Sequence, residues 1–209
     1  MAHVTAAERR PQLINAAIAL MTREGVAAGS TRAIAAELGV AQATVHYTFG
    51  TKEDLYEAVM RQLTADVTAQ VKAAAPADAG FEETLAAMAA ALWRSVREQP
   101  ATHQLLTELS MFALRAPKLQ EALESHYREV LEVTARMVTE AAERAGHPLA
   151  TPATTLARFF LGCSDGLTMQ HLSLPGDDEE AALADVRALV SSVVALAGGK
   201  LDLVPMPEA

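Results

Sequence analysis

Gln42, Ala43, Thr44, His46, Tyr47 and Thr48 carry the most specific chemistry of the chain, within one short run. An amide, hydroxyls, an imidazole and a phenol are the groups that hydrogen-bond to base edges and phosphates in a major groove. They need no nucleophile or acid–base pair to act. They need a rigid helix that turns them to one side. Nothing comparable points to catalysis. The sequence holds no Gly-rich phosphate loop, no Gly-x-Ser-x-Gly elbow and no His-Glu-x-x-His. His3, His46, His103, His126, His147 and His171 are far apart, and none stands at metal-ligand spacing from Cys163. No catalytic residue, cofactor or metal is expected, and an enzyme is the remote alternative.

The spacing supplies the helix those side chains require. Val45 and Phe49, four residues apart, bury one face of a short helix over 41–49, which leaves the named residues outside. Before it, the run from Ser30 to Gly39 reads as another short helix with a Ser or Thr cap and a glycine stop. Ile34 and Leu38 pack the first helix on the second, and Val40 plugs the corner. Two short helices joined by a tight glycine-containing turn form a helix-turn-helix. Upstream, Thr5-Ala-Ala-Glu8 has the form of a capping box, and Leu13, Ile14, Ala17, Ile18 and Met21 follow a helical period. That predicts a helix over 5–24, stopped by Gly25. Downstream, Thr51-Lys52-Glu53-Asp54 caps a longer helix that faces Leu55 and Val59 inward and ends near Ala75.

Prolines at 76, 100, 117, 148, 152 and 175 punctuate the remainder and delimit helices near 81–98, 102–114, 117–145, 152–173 and 178–197. Asp177 to Glu180 place negative charge at the start of the last of these, where the helix dipole favours it. Aromatic residues make up only 4% of the chain, while alanine and leucine abound. The expected class is all-α: an N-terminal three-helix helix-turn-helix domain, then a larger helical ligand-binding and dimerisation domain, about nine helices in all. The expected boundaries are 1–55, 56–199 and a disordered tail over 200–209. The formal net charge of −9 at first opposes a nucleic-acid partner. Over 1–55, however, Arg9, Arg10, Arg23, Arg32 and Lys52 balance Glu8, Glu24, Glu37, Glu53 and Asp54, so the excess lies elsewhere. No run is apolar enough to span a bilayer, the N-terminus lacks a secretory pattern, and a single cysteine cannot form an internal disulfide; a cytoplasmic location is expected.

The helix-turn-helix run resembles the TetR family of bacterial regulators at Thr31, Ile34-Ala35, Gly39-Val40, Thr44-Val45, Tyr47, Phe49, Lys52 and Leu55. The chain length and the long helices that follow are also similar to that family. The resemblance implies a ligand-responsive repressor of double-stranded operator DNA, and it implies roles. Thr31 and Arg32 touch phosphate or an edge base. Gln42, Ala43, Thr44 and His46 face bases: Gln42 pairs bidentately with adenine, and Ala43 and the Thr44 methyl pack on a thymine methyl. Tyr47 and Thr48 bond phosphates, and so does Lys52 at a helix start. Arg9 and Arg10 form a flexible arm. Two departures stand out. Ala41 occupies a position often held by a capping Ser, a loss of about 1 kcal/mol of helix stability. His46 stands where a phenol is common, which puts its readout in question.

One recognition helix contacts few bases, so a two-fold homodimer that spaces two of them one DNA turn apart is expected. The helices near 152–173 and 178–197 are the candidates for its interface, as the resemblance also implies. Gly162 and Gly166, four apart, allow either a close approach of two subunits or a tight crossing inside one. A small-molecule effector pocket is expected among Met88, Leu92, Trp93, Leu105, Leu109, Met111, Phe112, Tyr127, Met137, Phe159, Phe160, Cys163, Met169 and Asp165, although the same side chains would also build an ordinary core. His103, Gln104, His126, Gln170 and His171 are further polar groups that could orient a ligand. Asp165, in the middle of an apolar helix, is expected to be buried and to need a partner. The alternative within the same class is a DNA-binding regulator with no small-molecule effector, acting as an activator or under a protein partner.

Overall fold

Breaks between helices fall where the backbone loses a donor or turns left-handed. In the computed structural model, which describes residues 6–174 and 178–200, they separate nine α-helices and one 3-10 turn, with no strand among the described residues. The helices are α1 (Ala6–Glu24), α2 (Thr31–Leu38), α3 (Gln42–Phe49), α4 (Lys52–Ala73), α5 (Phe81–Glu98), α6 (Pro100–Ala113), α7 (Pro117–Arg144), α8 (Ala153–Ser173) and α9 (Glu179–Ala197); the 3-10 turn is Val26–Ala28. The all-α class and the helix order agree with the sequence reading. The 3-10 turn was not expected, because three residues show no period. Helix α6 starts two residues early, since Pro100 at its first position has no hydrogen bond to lose. Thr5 of the expected capping box and residues 201–209 of the expected tail lie outside the described residues.

Local chemistry explains the short helices. Ser30 Oγ accepts from Ala33 N at 3.1 Å and caps α2. Gly39 closes it in the left-handed region at φ 70°, with Val40 N returning to Ala35 O at 2.9 Å. Thr51 and Asp54 form a reciprocal cap on α4: Thr51 N donates to Asp54 Oδ2 at 3.0 Å, and Asp54 N donates to Thr51 Oγ1 at 3.1 Å. At the start of α9, Asp178 accepts from Glu180 N at 3.0 Å.

The chain divides into two compact units. The first takes residues up to Val67 together with Gln99–Tyr127. Its core joins Leu13, Ala17, Met21, Ile34, Val45, Phe49, Leu55 and Val59 to Leu105, Leu109 and Ala113 of α6 and to Leu119 and Leu123 of α7. This division differs from a boundary at residue 55. The apolar face of α6 packs against α1 and the 3-10 turn, so the three-helix motif completes its core with residues that follow much later in sequence. The second unit takes Thr68–Glu98 and the residues from Arg128 onward. In it α9 packs on both α5 and α8 around Phe81, Leu85, Trp93, Val96, Val138, Leu156, Val186, Leu189 and Val193.

Candidate nucleic-acid interface

Helix α3 is anchored by its two apolar residues and open on the other side. Val45 is fully buried and Phe49 nearly so, while Gln42, Ala43 and His46 are exposed and Tyr47 is 84% exposed. Thr31, Thr44 and Thr48 are half-buried, and Arg32 is exposed. The structure therefore brings the expected contact residues to one outward surface. It also shows their present engagements. Gln42 Nε2 donates to Thr31 Oγ1 at 3.1 Å and lies 3.4 Å from His46 Nε2. Bidentate pairing with adenine requires that amide to turn away from Thr31. Thr48 Oγ1 donates to Thr44 O at 2.8 Å. A phosphate oxygen is itself an acceptor, so Thr48 can donate to one only by giving up that bond. The phenol of Tyr47 stands clear of the surface. Ala41 precedes α3 in extended backbone and supplies no side-chain cap.

The support beneath this surface is polar and closely fitted. Tyr56, on the first turns of α4, is 1% exposed, and its hydroxyl donates toward Val26 O at 2.9 Å and Gly29 O at 3.1 Å. It thereby ties α4 to the 3-10 turn ahead of α2. Gly29 is needed there: a Cβ would come within 2.2 Å of Met21 Cε and 3.0 Å of the Tyr56 hydroxyl. Glu108 of α6 accepts from Val26 N at 3.3 Å, a third tie on the same turn. Lys52 is half-buried, with Nζ 4.8 Å from the Tyr56 ring centre and 5.9 Å from that of Phe112. Its charge is thus held by aromatic faces at the start of α4. Arg23 of α1 reaches α2 through Glu37, at 2.9 Å and 3.1 Å, and those hydrogen bonds hold the Glu37 carboxyl below its ordinary pKa. Tyr56, Gly29 and Glu108 are positioning residues that the sequence reading missed. Only the four-residue spacing from Lys52 to Tyr56 hinted at the first.

The basic residues of the N-terminal helix require a correction. Arg9 and Arg10 belong to α1, not to a flexible arm, because the helix already begins at Ala6. Arg9 Nη1 donates to Gln12 Oε1 at 2.8 Å. Arg10 stacks 4.5 Å over the Phe49 ring and points Nη1 at Thr48 O, 3.4 Å away. It braces the end of α3.

The expected effector residues divide between the units. Leu105 lies in the core of the first, and Met111, Phe112 and Tyr127 of that unit keep 52%, 42% and 48% of their surface exposed. Met88, Trp93, Phe159, Phe160, Cys163 and Asp165 belong to the second. There a narrow, partly open cleft is lined by Ala89, Leu92, Trp93, Val96, Ser164, Leu167, Thr168, Val186 and Leu189, with room for little more than a water molecule. Of the expected residues Leu92 and Trp93 line it. Asp165, expected to be buried, is exposed on α8; partial desolvation still raises its carboxyl above the ordinary pKa. Gly162 and Gly166 are exposed as well. A Cβ at either would meet nothing within 4 Å, so they form no tight crossing among the described residues. Among the described residues no three His, Cys, Asp or Glu side chains gather to hold a metal, and no helix is long and apolar enough to cross a membrane.

Comparison with known proteins follows this geometry. Residues 13–59 match the family described as bacterial regulatory proteins, tetR family, and residues 79–196 match the tetracyclin repressor-like C-terminal domain. The chain is 24% identical over 182 residues to the HTH-type nicotine-responsive transcriptional repressor HdnoR of Paenarthrobacter nicotinovorans, covering 87% of this chain and 93% of that one. It is 40% identical over 75 residues to the HTH-type transcriptional regulator BetI of Vibrio atlanticus, covering 34% and 37%. Among solved structures, the multidrug binding protein EbrR complexed with imidazole aligns with a TM-score of 0.66 at 27% identity, over 97% of this chain and 93% of that one. The same protein complexed with ethidium aligns equally well over 89% of this chain.

Proposed function

The chain belongs to the tetR family of bacterial regulatory proteins, and from that premise we propose that it is a repressor that releases a palindromic operator when a small molecule binds its second unit. The observation that carries the DNA-binding part is the two-sidedness of α3. Val45 and Phe49 lock it into a core, and Gln42, His46 and Tyr47 project from it. In this reading Gln42, Ala43, Thr44 and His46 read bases. Thr31, Arg32, Tyr47, Thr48 and Lys52 position the helix on phosphates. Two copies are needed for two successive grooves. The outer side of α8 supports a homodimer: Phe159 and Met169 are exposed large apolar residues, and Gly162 and Gly166 between them leave the helix surface open to close approach. Helix α4 starts with Lys52 and continues past Val67 into the second unit, so a shift of that helix is the proposed route of release. The nicotine-responsive relative and the ethidium-bound one support a small-molecule effector.

Footprinting upstream of the gene that encodes the chain, with and without a panel of apolar compounds, tests the reading. The expected result is a protected palindrome that a compound in the panel releases. Gln42→Ala should relax specificity at one base position per half-site, at a cost of about 1–3 kcal/mol. A single unpaired protected half-site, or equal loss on every sequence, would count against it. A second reading keeps the DNA-binding and drops the effector. The narrowness of the Trp93 cleft favours it, and protection indifferent to every compound would support it.

A further inference from the structure

We propose that the cleft beside Trp93 binds a neutral, largely apolar molecule through one uncharged oxygen, a hydroxyl or carbonyl, that accepts a hydrogen bond from Trp93 Nε1. This rests on the reading of the second unit as the effector-binding part. Trp93 is only 6% exposed, and its indole nitrogen is buried with no hydrogen-bond partner among the described residues. An indole N–H only donates, so its missing complement is an acceptor. His171 packs against the Trp93 ring, with centres 5.0 Å apart at 64°, and its Nδ1 is a second buried atom without a described partner. Native interiors rarely leave two such groups side by side. A hydroxyl or carbonyl oxygen in the cleft satisfies the indole by accepting its hydrogen bond.

The rest of the cleft sets the class of molecule. Ala89, Leu92 and Val96 of α5, Leu167 of α8, and Val186 and Leu189 of α9 give it apolar walls. Ser164 and Thr168 add only neutral hydroxyls. No lining side chain is charged, so neither a cation nor an anion would find compensation on losing its water. The cleft takes the oxygen-bearing end, and the apolar body parts the side chains above it. Thr84, His147 and His171 also hold unpartnered buried atoms, but of the four such residues in the second unit only Trp93 lines the cleft.

Trp93 is the sole tryptophan of the sequence, so the full chain labelled with 15N gives one indole N–H resonance, from the site itself. Three probes of similar shape separate the possibilities: benzyl alcohol, ethylbenzene and benzylammonium. Benzyl alcohol should shift that resonance saturably and bind about three- to tenfold more tightly than ethylbenzene. Benzylammonium should leave it unmoved. Trp93→Phe should remove the advantage of the alcohol, read by calorimetry. Should that variant not fold, Leu189→Phe, which fills the cleft from α9 and keeps the probe, should abolish the saturable shift. The proposal falls if benzyl alcohol gives no saturable shift, or if ethylbenzene or benzylammonium binds as well. A parallel footprint separates the two claims. A shifted Trp93 resonance with the operator still protected supports the cleft and counts against effector release. Release by a compound that leaves Trp93 unmoved overturns the cleft and keeps the effector.

Discussion

The two units treat their buried polar groups differently. In the first, the groups that fix the helix-turn-helix are tied off: the Tyr56 hydroxyl on two carbonyls, Val26 N on Glu108, Thr51 and Asp54 on each other. Thr22 Oγ1 is the exception among its described residues. In the second, Thr84, Trp93, His147 and His171 each bury an atom without a described partner. A surface that reads bases must hold its side chains rigidly, and satisfied hydrogen bonds inside a low-dielectric core provide that rigidity. Under the proposed function the second unit would gain from the reverse, because an unsatisfied group is stabilisation left for a ligand to supply.

Removing a hydroxyl from each unit should therefore have opposite effects. Tyr56→Phe strands the buried Gly29 carbonyl and leaves Val26 O with only its bond from Gly29 N; it should cost about 1–3 kcal/mol, lowering the melting midpoint of the first unit by roughly 2–12 °C in calorimetry. Impaired operator binding should accompany the loss. An unchanged midpoint would break the comparison at its stronger end. Thr84→Val keeps the shape and deletes a hydroxyl that is 1% exposed and unpartnered. It should stabilise the second unit by about 1 kcal/mol. A lower midpoint would mean that the hydroxyl is satisfied after all.

Acid should sharpen the same contrast, with a smaller effect. Burial lowers the pKa of His103, in the first unit, below its ordinary 6.5. Below 6.5 the unfolded chain takes up a proton that the folded unit resists, so this contribution to stability is present at neutral pH and is lost as pH falls. Asp165, in the second unit, has its pKa raised above 3.8 by desolvation. As pH falls toward 3.8 the folded form protonates first, so acid relieves a penalty present at neutral pH. That penalty is small, because the side chain is exposed. Melting curves from pH 7.5 to 5 should show the first unit weakening, and His103→Gln should flatten that slope. An unaltered slope in the variant would assign the acid sensitivity to another group.

Legibility followed the same divide. Caps, glycine stops and prolines are local signals, and they placed the helices to within two or three residues at the described ends. The outward face of α3 followed from Val45 and Phe49 alone. The return of α6 to the first core was not legible, because Leu105 and Leu109 look like any apolar helix face and their partner lies some eighty residues earlier. For the same reason Leu105 was read as a ligand contact. The cleft was missed apart from Leu92 and Trp93, since Ser164, Thr168 and Val186 acquire their meaning only where three helices meet. Asp165 was misjudged because an apolar neighbourhood in sequence does not say which side of the helix is covered.

The uncapped start of α3 has a consequence of its own. With alanine at position 41, no side chain caps the leading amides of α3. A backbone phosphate arriving there would stand in for the absent serine, so the duplex itself would finish the helix it is read by. Hydrogen exchange at Gln42 and Ala43 should accordingly be fast in the free protein and slow once operator is added, while Val45 hardly changes. Equal protection in both states would mean that DNA leaves that end of the helix untouched.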